Sequence, residues 1–216
     1  MPTPLVRISY KNVSGSVIPP YGVIQLTGAP IVTASGDYVF QATTPGSGNG
    51  PCMIDAGNGS AASGDGVWGS CIRGAEGPVW ASYGGAFTTP TAWMPMGPVH
   101  GQTYVNETGG GWIYCGKYDS ANSRVMIIRN PHPIWCKTAT NISVGDPSSP
   151  TQFTVNVWLK SGVSWPYTQA VATDTPLLGL TVVNRNPGLS TTSTGKLGLI
   201  GWSDELLEYF PAWIDC

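Results

Sequence analysis

Val6, Ile8 and Tyr10 alternate with Arg7, Ser9 and Lys11 near the start of the chain. A period of two puts one set of side chains inside and the other in water, as in a half-buried strand. Residues 12–15 then supply turn formers. The next predicted strands cover 23–27, closed by Gly28 and Pro30, then 38–43, 52–55 and 67–73. Residues 112–118 and 124–129 read as a hairpin joined by the turn formers of 119–123. Gly109, Gly110 and Gly111 precede it and predict a sharp bend where side chains would obstruct the backbone. Phe153, Val155, Val157 and Leu159 alternate with Thr154, Asn156, Trp158 and Lys160. Residues 177–184 and 197–202 read as late strands. Residues 203–210 hold the one helical candidate, with Ser203 as cap, Asp204 and Glu205 in the first turn and Pro211 as stop. A strand rivals the helix there.

Asn130-Pro131-His132-Pro133 marks the best boundary, because prolines on both sides of His132 bias the chain toward extended backbone. The pattern predicts an all-β protein in two lobes. Residues 1–131 form a β-barrel-like or sandwich lobe with a short N-terminal arm. Residues 132–216 form a second, smaller β lobe of about four strands, with at most one short helix near the C-terminus.

Composition narrows the function. Only 10% of the 216 residues are charged, against about 25% in an average domain. The formal net charge is −2, so no basic excess is present to neutralise phosphates, and nucleic acid is not an expected partner. Apolar runs fall short of the roughly 20 residues of a membrane-spanning helix, and no membrane partner is expected. Residues 1–4 lack a basic, then apolar, leader, which predicts cytoplasmic synthesis.

The chemistry-bearing residues are sparse. His100 and His132 are the only histidines, and no nucleophile elbow occurs; Gly201-Trp202-Ser203-Asp204 lacks the final glycine. The five cysteines, Cys52, Cys71, Cys115, Cys136 and Cys216, show no metal-ligand spacing and read as small buried hydrophobes. Residues 46–51 look like a phosphate loop but lack its lysine and following helix. Asp204, Glu205 and Glu208 cluster, as carboxylates on solvated faces often do. Asn12, Asn58, Asn106 and Asn141 begin glycosylation-type triplets in a chain rich in Ser and Thr. No catalytic residue, cofactor or metal site is predicted. The nine tryptophans read mainly as core or interface residues. Trp158, on the polar face of its strand, and Trp165 are the best aromatic platforms for a sugar.

One stretch carries a resemblance. The strand of residues 6–11, Asn12-Val13-Ser14-Gly15, then Ile18-Pro19 and Val23 resemble the opening of small β proteins of tailed bacteriophages. Gly97-Pro98-Val99-His100-Gly101, Gly111-Trp112-Ile113-Tyr114 and the strand after Ser123 are similar to later landmarks of those chains. Residues 136–216 are similar to a β module at the ends of other phage proteins. The resemblance implies a virion protein of the head-decoration, or cement, type: a structural protein without an active site. Its partners would be the major capsid protein and copies of itself, as a trimer on a three-fold position. The second lobe departs from the smallest decoration proteins and leaves a tail, neck or fibre role open, with a host glycan as partner there. On this reading the interface residues are Pro2, Pro4 and Leu5 of the arm, with Trp158, Trp165 and Tyr167.

Overall fold

The computed structural model describes residues 7–60, 68–74, 77–84, 93–130, 132–157 and 178–215. Every regular element among them is a β-strand, so the protein is all-β. The chain divides into two compact units: residues 1–130 together with 204–207, and residues 131–203 together with 208–216.

Five strands open the first unit: β1 (Ile8–Asn12), β2 (Val23–Val32), β3 (Tyr38–Thr43), β4 (Cys52–Asp55) and β5 (Trp68–Ile72). They close a barrel in the order β1-β3-β2-β4-β5. β1 and β3 pair in parallel from Tyr10↔Phe40 to Asn12↔Ala42, and the other pairs are antiparallel. Tyr10, Ile24, Leu26, Met53 and Cys71 fill the interior. A second sheet follows, built from β6 (Val79–Ser82), β7 (Pro95–Pro98), β8 (Val105–Asn106), β9 (Trp112–Asp119) and β10 (Arg124–Arg129). Its order is β6-β10-β9-β7-β8. Val79, Met96, Trp112, Val125 and Ile127 from this sheet share a core with Val23, Cys52, Ile54 and Ile72 of the barrel. All four residues of β4 are therefore buried: Met53 faces the barrel interior while Cys52 and Ile54 face the second sheet. A strand covered on both faces has no polar alternation to read.

The second unit is a barrel of β11 (Ile134–Thr138), β12 (Thr151–Val157), β13 (Leu178–Asn184), β14 (Leu197–Ser203) and β15 (Glu208–Ile214). The order is β11-β12-β13-β15-β14. The β12–β13 hairpin keeps register over seven partners, Thr151↔Asn184 to Val157↔Leu178. Ile134, Cys136, Phe153, Val155, Val157, Leu180, Val182, Ile200 and Tyr209 form its core, on the alternate positions that the sequence pattern selects for β12.

Several expectations need correction. The strand predicted to stop at Gly28 and Pro30 continues to Val32, because the β2–β3 register shifts between Thr27 and Ile31. Gly28, at φ 62, gives the bulge the left-handed residue it requires. Residues 203–210 form no helix: β14 ends at Ser203, residues 204–207 turn, and β15 begins at Glu208. Leu207 adopts φ 53, which no right-handed helix contains, and Tyr209 is buried in the second core. The second lobe has five strands where about four were expected; β11 escaped the reading, as did β6, β7 and β8, and the strand alternative over 203–210 holds only from Glu208, where β15 begins. The triple glycine does mark a close approach: a Cβ on Gly97 would overlap the backbone of Gly109 and Gly110.

Candidate functional surface

The six residues predicted to make contacts, Pro2, Pro4, Leu5, Trp158, Trp165 and Tyr167, lie outside the described residues. Cys216 lies outside them as well. The remaining chemical candidates are placed, and most are engaged in holding the fold.

Asp55 ends β4 fully buried. Its carboxylate accepts the Tyr10 hydroxyl (2.9 Å) and the backbone N–H groups of Tyr21 (3.3 Å), Gly57 (2.9 Å) and Gly59 (2.8 Å). Burial and the adjacent Asp55 charge push the Tyr10 hydroxyl well above the usual tyrosine range. Burial pushes the Cys71 thiol up to about 12, so it stays protonated and unreactive at neutral pH. This is a pin at the barrel end, with all of its donors internal.

Asp204 sits in the turn that belongs to the first unit. Its Oδ2 accepts Arg129 Nη2 at 2.6 Å and Cys52 N at 3.3 Å. Its carbonyl accepts Gln25 Nε2 at 2.6 Å. The Arg129 guanidinium also stacks on Trp112, 4.8 Å from the ring centroid. Glu208 binds Arg185 at 2.8 Å, and the Glu205 carbonyl accepts Gly48 N. Two of the clustered carboxylates thus hold arginines. Residues 46–51 form a loop clamped by bonds from Gly46 N to Gln25 and from Gly50 N to Leu26. Among the described residues, no group of three or more His, Cys, Asp or Glu lies close enough to hold a metal ion. Cys52, Cys71, Cys115 and Cys136 are free thiols, and burial raises the pKa of each. Asn12 is buried, with its amide bonded to Ser16 O and its carbonyl oxygen accepting Ser14 N. Its triplet is a turn, closed to modification in the folded protein.

The described tryptophans range from buried to half exposed. Trp112 is buried in the first core, donating its indole N–H to Arg73 O at 3.2 Å. Trp135 and Trp213 face outward on the second barrel. Trp135 pairs with Leu199, and Leu199 with Trp213, across three adjacent strands. Neighbouring strands stand about 4.8 Å apart, so the two indoles are two strand spacings apart at their backbones. Their ring centroids are nevertheless only 6.4 Å apart, at 83°, because the rings lean together over Leu199 in the edge-to-face geometry aromatic pairs prefer. Phe210 extends this surface, its ring lying over Gly201. Phe210 and Trp213 are three residues apart on one strand, yet both are exposed, at 41% and 47%. A bulge explains it: Leu199 pairs with Trp213 but Ile200 pairs with Pro211, so Ala212 is an extra residue that reverses the alternation.

Sequence reasoning missed this face. Trp135 was recoverable from the alternation of Ile134, Trp135, Cys136 and Lys137. Phe210 and Trp213 were not, since a bulge breaks the period without leaving a signature. No family model, curated protein or solved structure matches the chain.

Proposed function

We propose that this protein is a non-enzymatic structural component of a tailed-bacteriophage particle, decorating and cementing the assembled capsid. The outward apolar row Trp135, Leu199 and Trp213 on a closed barrel carries the reading. A closed barrel offers no free edge for strand pairing, so contacts must be made by side chains. Aromatic residues with few charges suit the dry centre of a subunit interface. Covering a half-exposed tryptophan contributes on the order of 1–2 kcal/mol. Repeated over many symmetric copies, that increment favours the assembled lattice over its separate subunits by simple linkage. The partners are then the major capsid protein and further copies of this chain, as a trimer on a three-fold position. The burial of Cys52, Cys71 and Cys136, and of Asp55 with all its donors internal, also supports a structural role.

A second reading places the protein in the tail, neck or fibres, contacting a host glycan. The exposed Trp213 ring beside Trp135 favours it, since indole faces stack on sugar rings.

Quantitative mass spectrometry of purified particles tests both. Near-stoichiometric copies relative to the coat protein support decoration, and a few copies per particle support the tail reading. Absence from particles overturns both.

A further inference from the structure

A groove of about 600 Å³ runs over the opposite side of the second barrel's sheet order, lined by Thr140, Asn141, Gln152, Phe153, Thr154 and Thr181, with Thr194 at its rim. The groove is shallow and largely open to solvent. Every polar side chain in it is a neutral hydroxyl or amide. Its floor is the β12–β13 ladder, where Thr154 and Thr181 are direct partners and Gln152 is the next outward residue on β12.

The walls are held by the backbone. Ala139 N and Thr140 N both donate to Thr154 O, at 2.8 and 3.3 Å. Thr154 N donates to Thr140 Oγ1 at 2.9 Å. Ile142 and Thr191 exchange two backbone bonds of 2.9 Å, which fixes Asn141 on one side and the loop toward Thr194 on the other. Gly195 N and Lys196 N both donate to Thr138, through its carbonyl and its hydroxyl.

Apart from Thr140, whose hydroxyl accepts Thr154 N, the polar side chains that face the groove are unengaged. Among the described residues, those of Asn141, Gln152, Thr154, Thr181 and Thr194 make no hydrogen bond within the protein. A rigid frame thus presents five donor–acceptor groups at no further ordering cost to the backbone. A hydroxyl both donates and accepts, and so does a carboxamide through its two ends. A ligand that matches such a lining carries many neutral hydroxyls of its own. A charged ligand would find no counter-charge in this lining.

We propose that this groove binds a neutral saccharide. The site is separate from the Trp135–Trp213 row and does not rest on the particle assignment.

The test is a glycan array carrying neutral and acidic oligosaccharides, probed with the labelled full chain, followed by amide NMR titration with the neutral oligosaccharides that bind. Binding should shift amides of residues 140–141, 152–154 and 181. Gln152→Ala and the pair Thr154→Val with Thr181→Val should each weaken binding at least tenfold. Gln152 is exposed, so its variant should keep the wild-type melting temperature. Binding to no neutral glycan, binding to acidic glycans alone, or neutral binding unchanged in the Gln152→Ala protein would each overturn the proposal.

Discussion

The two barrels have five strands each, and each closes through one parallel pair, yet they are held from inside by different physics. The first carries a charge in its interior. Asp55 and Asn12 are fully buried, and Asp55 alone accepts four hydrogen bonds. Its closing β1–β3 pair spans three partners, and the polar pins set the ends that so short a ladder leaves loose. The second barrel has no buried carboxylate among its described residues. Its parallel contact is a single partner pair, Val182↔Tyr209. An apolar interior and the seven-partner hairpin β12–β13 hold it instead, with Asn184 tying its loops to Ser143 O and Leu189 O at 2.9 Å each. A directional network fails when one acceptor is removed, whereas an apolar core weakens in proportion to the volume lost.

That contrast predicts where each barrel breaks. Asp55→Ala should have the largest effect. It leaves the Tyr10 hydroxyl and three N–H groups without their acceptor, and should cost about 4 kcal/mol. Hydrogen exchange should show lost protection in β1, β4 and β5 with β12 and β13 unchanged; equal loss in both would defeat the contrast. Leu180→Ala, at a fully buried site, should cost about 3 kcal/mol by leaving a cavity. Its loss of protection should be confined to β11–β15.

Alkaline pH sharpens the comparison further. The Cys71 and Cys136 thiols are pushed from 9.0 to about 12 by burial. Between these values the unfolded chain has released a proton that the folded chain keeps. Stability is therefore complete below pH 9 and falls as pH rises toward 12, on the order of 1 kcal/mol per pH unit for each thiol. In the first unit Tyr10, Cys52 and Tyr83 are raised as well, so that unit should open first. Thiol alkylation read by peptide mass spectrometry should label Cys71 at lower pH than Cys136; the reverse order would contradict the account.

The smallest effect on stability belongs to the outer surface. Trp213→Ala, half exposed and packed edge-to-face on Trp135, should cost only about 1–2 kcal/mol of stability while weakening attachment to particles. Particle co-sedimentation that matches wild type would remove Trp213 from the proposed interface.

The apolar pattern alone determined that the protein is all-β, because alternation such as Phe153, Val155 and Val157 survives wherever a strand has one wet face. It also located 38–43, 52–55 and the hairpin of 112–129, whose turn chemistry is local. It did not reveal β11, nor that residues 204–207 turn before a strand that begins at Glu208 and runs on to Ile214. Asp204 and Glu205 suit a helix start by local preference, but the bonds from Gln25, Cys52 and Arg129 outweigh it, and their donors lie 75 to 179 residues away. The outward face shows the same division. Which residues are aromatic is written in the sequence; that Trp135, Phe210 and Trp213 share one surface depends on a bulge at Ala212 and on pairing across three strands. The Thr/Gln/Asn groove likewise draws its lining from segments up to 54 residues apart, from Thr140 to Thr194. Local periodicity reports burial one strand at a time, and only tertiary pairing decides which outward side chains meet.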